Sequence, residues 1–200
     1  EHGSPDFSAE LEARLKRRSV AARLAELAGP PRELPLLNGD FEIGQGGRHW
    51  NNDDIAGMAW QNVGGCQSRG TLDPTVAHGG GRSLHVVYPR EVRQGYGVSS
   101  QTLPADPRGR YRLSLWAKAS DAAAGVVQVV LDDRRDKPLV SLPAGTYDWQ
   151  ELAGEFDLKD ATAPTVEGYR NVTLRILAVA PGEAWIDDVR IERIDDAVEP

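Results

Sequence analysis

The sequence predicts an all-β domain: a two-sheet antiparallel β-sandwich of the jelly-roll type, preceded by an N-terminal helical extension. Two patterns carry this expectation. From Leu36 onward, apolar residues recur at every second position in short runs punctuated by Gly, Pro, Asn and Asp. No stretch of helical period separates these runs, so the crossover helices that a parallel sheet requires are missing, and two packed antiparallel sheets are the economical solution.

The helical extension comes first in the chain. Ser8 is a suitable N-cap, Leu11, Leu15, Leu24 and Leu27 follow at roughly helical spacing, and Gly29-Pro30-Pro31 ends the pattern. Residues 1–34 therefore read as a tag or linker with one amphipathic helix, 35–195 as the sandwich, and 196–200 as a tail. The helix is expected to connect to a larger protein; the alternative is that its leucines pack on the sandwich itself.

The expected strands are Leu36–Glu42, Met58–Val63, Arg82–Tyr88, Tyr96–Leu103, Arg110–Ala119, Val126–Leu131, Gln150–Leu158, Asn171–Val179 and Ala184–Ile194. Tyr111, Leu113, Leu115 and Ala117 alternate with Arg112, Ser114, Trp116 and Lys118, so one face packs and the other is polar. Val172, Leu174 and Ile176 alternate with Thr173 and Arg175 in the same way. Turns are expected at Pro107–Gly109, Pro143–Gly145 and Pro181-Gly182.

Charge narrows the function classes. A net charge of −7 across 200 residues disfavours general binding to nucleic acid or to anionic membranes, which needs clustered Lys and Arg. No run of about 18 apolar residues is present. Cys66 stands alone, which excludes an intrachain disulfide or a cysteine metal cluster. There is no Gly-x-Ser-x-Gly elbow, and His2, His49, His78 and His85 show no metal-ligand spacing. His85, between Leu84 and Val86, is expected at the surface. Asp53-Asp54 and Asp132-Asp133 are sequence neighbours whose side chains diverge in an extended chain, which is unlike the opposed carboxylates of a glycosidase.

Several phrases resemble carbohydrate-binding modules of the family 4, 9, 16 and 22 type, a galactose-binding-like jelly roll. They are Leu37–Glu42, Ala56–Trp60, Gly80–Val86, Gln101 with Tyr111–Lys118, Trp149–Glu151 with Phe156, and Trp185–Val189, in the family's order across roughly residues 36–194. The resemblance implies a structural Ca2+ between the opening and closing strands. Glu42 and Asp187 match the family's carboxylates, Asp40 would offer a backbone carbonyl, and the loop around Gly79-Gly80-Gly81 would add further carbonyls. Calcium takes six to eight oxygen ligands, and a cation relieves the repulsion of two carboxylates brought together. The loop lacks the acidic residue that some relatives carry there. The alternative is that Asp40 caps a turn while Asp187 and Asp188 sit at a strand edge. The resemblance also assigns Trp60, Trp149 and Trp185 to framework positions in the core.

Sugars are held by aromatic rings against pyranose faces and by polar side chains on the hydroxyls. Tyr96 follows Gly95 in a strand with few apolar neighbours, close to where relatives carry a stacking ring; the competing account is an edge tyrosine over the core. Trp116 shares a polar strand face with Arg112 and Ser114. Gln128 and Arg175 are polar positions in apolar strands, suited to hydroxyl recognition or simply to solvent. Trp50, in the polar loop His49–Asp54, is a candidate rim residue. The expected function is that of a non-catalytic module holding an attached polysaccharide-degrading enzyme on a plant- or algal-type glycan, in a secreted, extracellular or periplasmic setting. The alternatives are a jelly roll that packs against a neighbouring domain, and a β-sandwich hydrolase or lyase.

Overall fold

The computed structural model describes residues 36–43, 69–91, 99–132, 134, 136–158, 165–166 and 169–194. Among them there is no helix, and every strand pairing is antiparallel. The expected helix and the opening and closing segments of the chain lie outside the described residues.

The first sheet, sheet A, contains β1 (Arg69–Asp73), β2 (Ser83–Tyr88), β4 (Arg110–Ala122), β7 (Gly145–Asp157) and β10 (Gly182–Arg193), in the order β1-β2-β10-β4-β7. The second, sheet B, contains β3 (Ser99–Ala105), β5 (Val127–Leu131), β6 (Val140–Ser141) and β9 (Tyr169–Ala178), in the order β3-β9-β5-β6, and β8 (Thr165–Val166) pairs with β9. The chain passes repeatedly from one sheet to the other, so neighbours in a sheet are mostly distant in sequence.

Period-two patterning assigns the faces. Leu84, Val86, Leu113, Leu115, Ala117, Ala184 and Ile186 of sheet A meet Leu103, Val127, Val129, Val172, Leu174 and Ile176 of sheet B in one buried core. Residues of opposite parity form an outer face on each sheet. Tyr111 is buried in the core, yet its hydroxyl accepts from the Asp106 amide and donates to the Asp106 carbonyl, which fixes the turn before β4. Gly109 permits this, because a Cβ there would lie 2.4 Å from the Tyr111 oxygen.

The expected opening strand is not a strand. Residues 37–40 form a turn, with Asn38 and Phe41 at positive φ. The Asn38 side chain closes on Ile43 in both directions, donating to its carbonyl and accepting from its amide. Side-chain closure of this kind competes with strand pairing. The turn is tied to both sheets: Gln101 exchanges two hydrogen bonds with the Leu37 backbone, and the Val189 amide donates to the Gly39 carbonyl.

Candidate functional site

The sequence left open which of its candidate residues share a face. Gln128 and Arg175 lie together on the outer face of sheet B, and Trp116 lies on the outer face of sheet A, across the core. Tyr96 and Trp50 lie outside the described residues, as does Trp60.

On sheet A the outer face is aromatic. Trp116 on β4, Trp149 on β7 and Trp185 on β10 all have the parity opposite to the core residues beside them, and none is fully buried. Trp149 and Trp185 are therefore not core residues, contrary to the framework assignment. Trp185 alternates with the buried Ala184 and Ile186. Trp149 turns outward at a register shift in the pairing of β4 with β7, between Ala117 and Ala119.

Histidines cover two of these rings. His78 stacks on Trp116 with centroids 3.9 Å apart and planes at 11°, and it meets Trp149 edge-on. His85 stacks on Trp185 at 4.7 Å and 4°. A carboxylate tethers each imidazole: Asp188 Oδ2 lies 2.8 Å from His78 Nδ1, and Glu183 Oε1 lies 2.7 Å from His85 Nε2. Trp185 also donates its indole N–H to Asp73. A ring that is both stacked and tethered is held in place, so each pair works as a clasp on the sheet.

His78 belongs to the loop joining β1 to β2, which folds over the outer face of sheet A. Asp187 lies beneath it. On β10 this residue points outward, opposite Trp116, and is nevertheless 0% exposed. Its Oδ2 accepts from the His78 and Gly79 amides and its Oδ1 from the Asp188 amide. Burial pushes the Asp187 carboxyl above its usual range, and these backbone hydrogen bonds oppose the shift only in part. Glu42 grips the same loop from the other side, with Oε1 accepting from the Gly81 and Arg82 amides.

The loop thus meets both carboxylates with its amides. Asp187 sits at an irregularity in a central strand rather than at a sheet edge, since the pairing with β4 shifts between Asp187 and Arg190 and Asp188 has φ +49°. Asp40 is exposed in the opening turn. Among the described residues, no three His, Cys, Asp or Glu side chains gather as a metal cluster.

The outer face of sheet B is different. Thr102 on β3, Asn171, Thr173 and Arg175 on β9, Gln128 on β5 and Ser141 on β6 share it. Thr102, Asn171 and Ser141 are exposed, while Thr173, Arg175 and Gln128 are half-buried. Thr102 and Thr173 place their hydroxyls 3.1 Å apart. Val130 and Leu177, on the same face and paired with Arg175 and Gln128, are buried and form an apolar floor. The result is a strip of hydroxyl, amide and guanidinium groups running diagonally across the sheet.

No protein family profile and no curated protein sequence matches the chain. Solved structures do. A cyclase from Fischerella sp. TAU in complex with 4-(1H-indol-3-yl)butan-2-one has a TM-score of 0.55 at 16% identity, covering 84% of this chain and 99% of that one. The arabinose-bound MgGH51 α-L-arabinofuranosidase has a TM-score of 0.55 at 18% identity over 82% of this chain, which spans 27% of that enzyme. The xylan-binding CBM22-1 domain of Paenibacillus barcinonensis Xyn10C has a TM-score of 0.47 at 14% identity, covering 70% of this chain and 88% of the domain. The fold is thus shared with a cyclase and with a part of an arabinofuranosidase. At these identities the likeness is one of fold.

Sequence reasoning gives His78 no functional role and places His85 at the surface. Alternation did signal that His85 and Trp185 share parity with the outer face. Nothing in the sequence signalled that the loop bearing His78 folds onto Trp116.

Proposed function

We propose that this chain is a non-catalytic module that binds carbohydrate on the outer face of sheet B. The observation that carries the reading is the polar strip Asn171, Thr102, Thr173, Arg175, Gln128 and Ser141 above an apolar floor. Neutral hydroxyls and amides both donate and accept, as a sugar's hydroxyl groups require, and an extended face admits a chain rather than a single ring. Gln128 and Arg175 act as the hydrogen-bonding core. Tyr96, shortly before β3, is proposed as the stacking ring, with Trp50 at the rim. The ordered sequence resemblance to carbohydrate-binding modules supports the same reading.

Such a module serves an attached catalytic domain by raising its effective concentration at a polysaccharide, which makes even weak binding useful. A secreted, extracellular or periplasmic setting follows from that role and is part of the proposal. A structural calcium held by Glu42, Asp187 and the Asp40 carbonyl is also proposed; its support is the buried Asp187 carboxylate, next to Asp188 in the chain.

A second reading, a domain that packs against a partner, is favoured by the half-buried Trp116, Trp149 and Trp185 on the outer face of sheet A. An affinity screen over xylan, β-glucans, mannan and pectins separates the two. Binding to any of them, weakened by Gln128→Ala, supports the first reading. No binding to any supports the second, and release of product from the panel overturns the non-catalytic assignment.

A further inference from the structure

Resting on the carbohydrate-binding reading, we infer that the ligand of sheet B is a neutral glycan with a free vicinal diol, gripped by the Asp132 carboxylate beside the paired hydroxyls of Thr102 and Thr173. Asp132 follows β5 directly, and Leu131, the last residue of that strand, stands opposite Leu174 on β9. The register then sets Asp132 beside Thr173, and Thr173 stands opposite Thr102 on β3. A carboxylate and two hydroxyls thus form one row across three strand positions, at the end of the outer face.

Two hydrogen bonds fix the carboxylate. The Asp132 amide donates to the Thr173 carbonyl at 2.7 Å, and Asp132 Oδ1 accepts from the Thr173 amide at 2.9 Å. In a continuing antiparallel pair the second bond would go to a backbone carbonyl. Asp132 has φ +49°, which turns the chain out of β5, and its side chain takes that carbonyl's place. A short polar side chain tolerates this conformation through such local bonding. The carboxylate is thereby held against β9, with one lone pair of Oδ1 spent and Oδ2 without a donor among the described residues.

The acceptors left over set the ligand. An ionised carboxylate accepts at both oxygens, and its charge-assisted hydrogen bonds are about twice as strong as neutral ones. Two adjacent sugar hydroxyls offer the pair of donors that it lacks. Thr102 and Thr173 hold their hydroxyls 3.1 Å apart, a bond that uses one donor and leaves one donor with spare lone pairs for the same sugar. The row is also accessible. Thr102 is exposed, as is Asn171 on the same side of β9, while Asp132 and Thr173 are half-buried. The middle of the face is closed by contrast, with Val130 and Leu177 only 0% and 1% exposed. A carboxylate in the row and a net charge of −7 both oppose uronates and sulfates, so the glycan is neutral.

The experiment measures binding of β-1,4-linked xylan, mannan, glucan and galactan oligosaccharides, whose units carry adjacent free hydroxyls, and of their O-acetylated forms. A β-1,3-linked glucan, whose internal units carry no vicinal diol, polygalacturonate and a chitosan oligosaccharide complete the panel. Wild type, Asp132→Asn and Thr102→Val are compared, each checked by melting temperature. At least one β-1,4-linked glycan should bind wild type about tenfold more tightly than the β-1,3-glucan or its own acetylated form, the effect of one charge-assisted contact. Asp132→Asn keeps an oxygen for the Thr173 amide but loses the charge, so it should melt like wild type and lose about tenfold in affinity. Thr102→Val should lose a few-fold with its melting temperature kept. Unchanged affinity in Asp132→Asn would make Asp132 a cap of β5 alone, which overturns the inference and leaves the carbohydrate reading standing. Should Asp132→Asn fail to fold, wild type decides: equal binding of a glycan and its acetylated form would overturn the inference. Equal binding of polygalacturonate would overturn the neutral ligand, and tighter binding of chitosan would replace diol recognition by attraction of any cation. No binding to any glycan would overturn both readings.

Discussion

The imidazole of His78 lies flat on the indole of Trp116, 3.9 Å between centroids and 11° from parallel. One face of Trp116 is therefore taken by the protein's own chain, and the stack holds the β1–β2 loop against sheet A. Aromatic pairs contribute about 0.5–1.5 kcal/mol beyond burial. His78→Ala should lower the melting temperature by a few degrees, at roughly 2–4 °C per kcal/mol for a domain of this size. Trp116→Ala should cost more, and neither variant should change glycan affinity if the ligand lies on sheet B. An affinity loss in Trp116→Ala without a fall in melting temperature would move the binding site to sheet A.

The same loop is gripped from below by Asp187 and from the side by Glu42. Gly80 is central to that grip: its φ is +59°, and a Cβ there would lie 2.3 Å from Glu42 Oε1. Gly80→Ala should destabilise the domain by at least about 1 kcal/mol, since it combines left-handed strain with a clash. If calcium also bridges Glu42 and Asp187, a chelator should lower the melting temperature of wild type. A ligand at 100 times its Kd contributes about 2.7 kcal/mol. Asp187→Asn should then melt alike with and without chelator. A wild type insensitive to chelator would leave the loop held by its amide bonds alone.

Acid should act on the outer face of sheet A through Asp73. Burial raises its pKa, but hydrogen bonds from the Thr75 hydroxyl, the Trp185 indole and the Thr75 amide, with the His85 ring nearby, outweigh that and hold the carboxyl at about 2. A carboxyl depressed in the folded state stabilises fully above its ordinary value of 3.8, and that stabilisation is lost as pH falls through about 2. Asp187 is shifted the other way, so its ionisation weakens the fold as pH rises from its ordinary value through the raised one. The difference in melting temperature between wild type and Asp73→Asn should shrink as pH drops from about 5 to about 2. A difference constant over that range would show that Asp73 is not the titrating group.

The strand pattern was legible because alternation is local: β2, β4, β5, β9 and β10 fall where it put them, within a few residues. Alternation with the buried Ala184 and Ile186 puts Trp185 on the outer face, but the family resemblance assigned it to the framework, and there the resemblance misled. The opening segment failed for a different reason. Leu36 and Phe41 are buried or half-buried like strand residues, yet the Asn38 side chain closes a turn between them. The burial of Asp187 could not be read at all. Its burial comes from a loop more than a hundred residues earlier in the chain, and period-two reasoning treats each strand as if nothing folds over it. Gln128 and Arg175 came together because β5 and β9 are neighbours, a pairing that is set by topology rather than by either sequence.

Gln128 and Tyr96 test the sheet B reading jointly. Gln128 is half-buried on the face, and Gln128→Ala removes one neutral hydrogen-bonding group from it. The loss should be about 0.5–1.5 kcal/mol, roughly two- to tenfold in affinity, with little change in melting temperature. Tyr96 lies outside the described residues, so its role rests on its place in the sequence just before β3. Loss of one stacking ring should cost on the order of 1 kcal/mol, about fivefold in affinity. A tyrosine buried in the core would instead cost about 3–5 kcal/mol of stability on truncation. The double variant adds what the singles cannot. Residues that hold the same sugar unit couple, whereas distant and independent ones add within about 0.3–0.5 kcal/mol. Non-additive affinity losses with intact melting would put Tyr96 and Gln128 on one ligand. Unchanged affinity in Tyr96→Ala with a large drop in melting temperature would make Tyr96 part of the framework and leave recognition to Gln128, Arg175 and the threonines of sheet B.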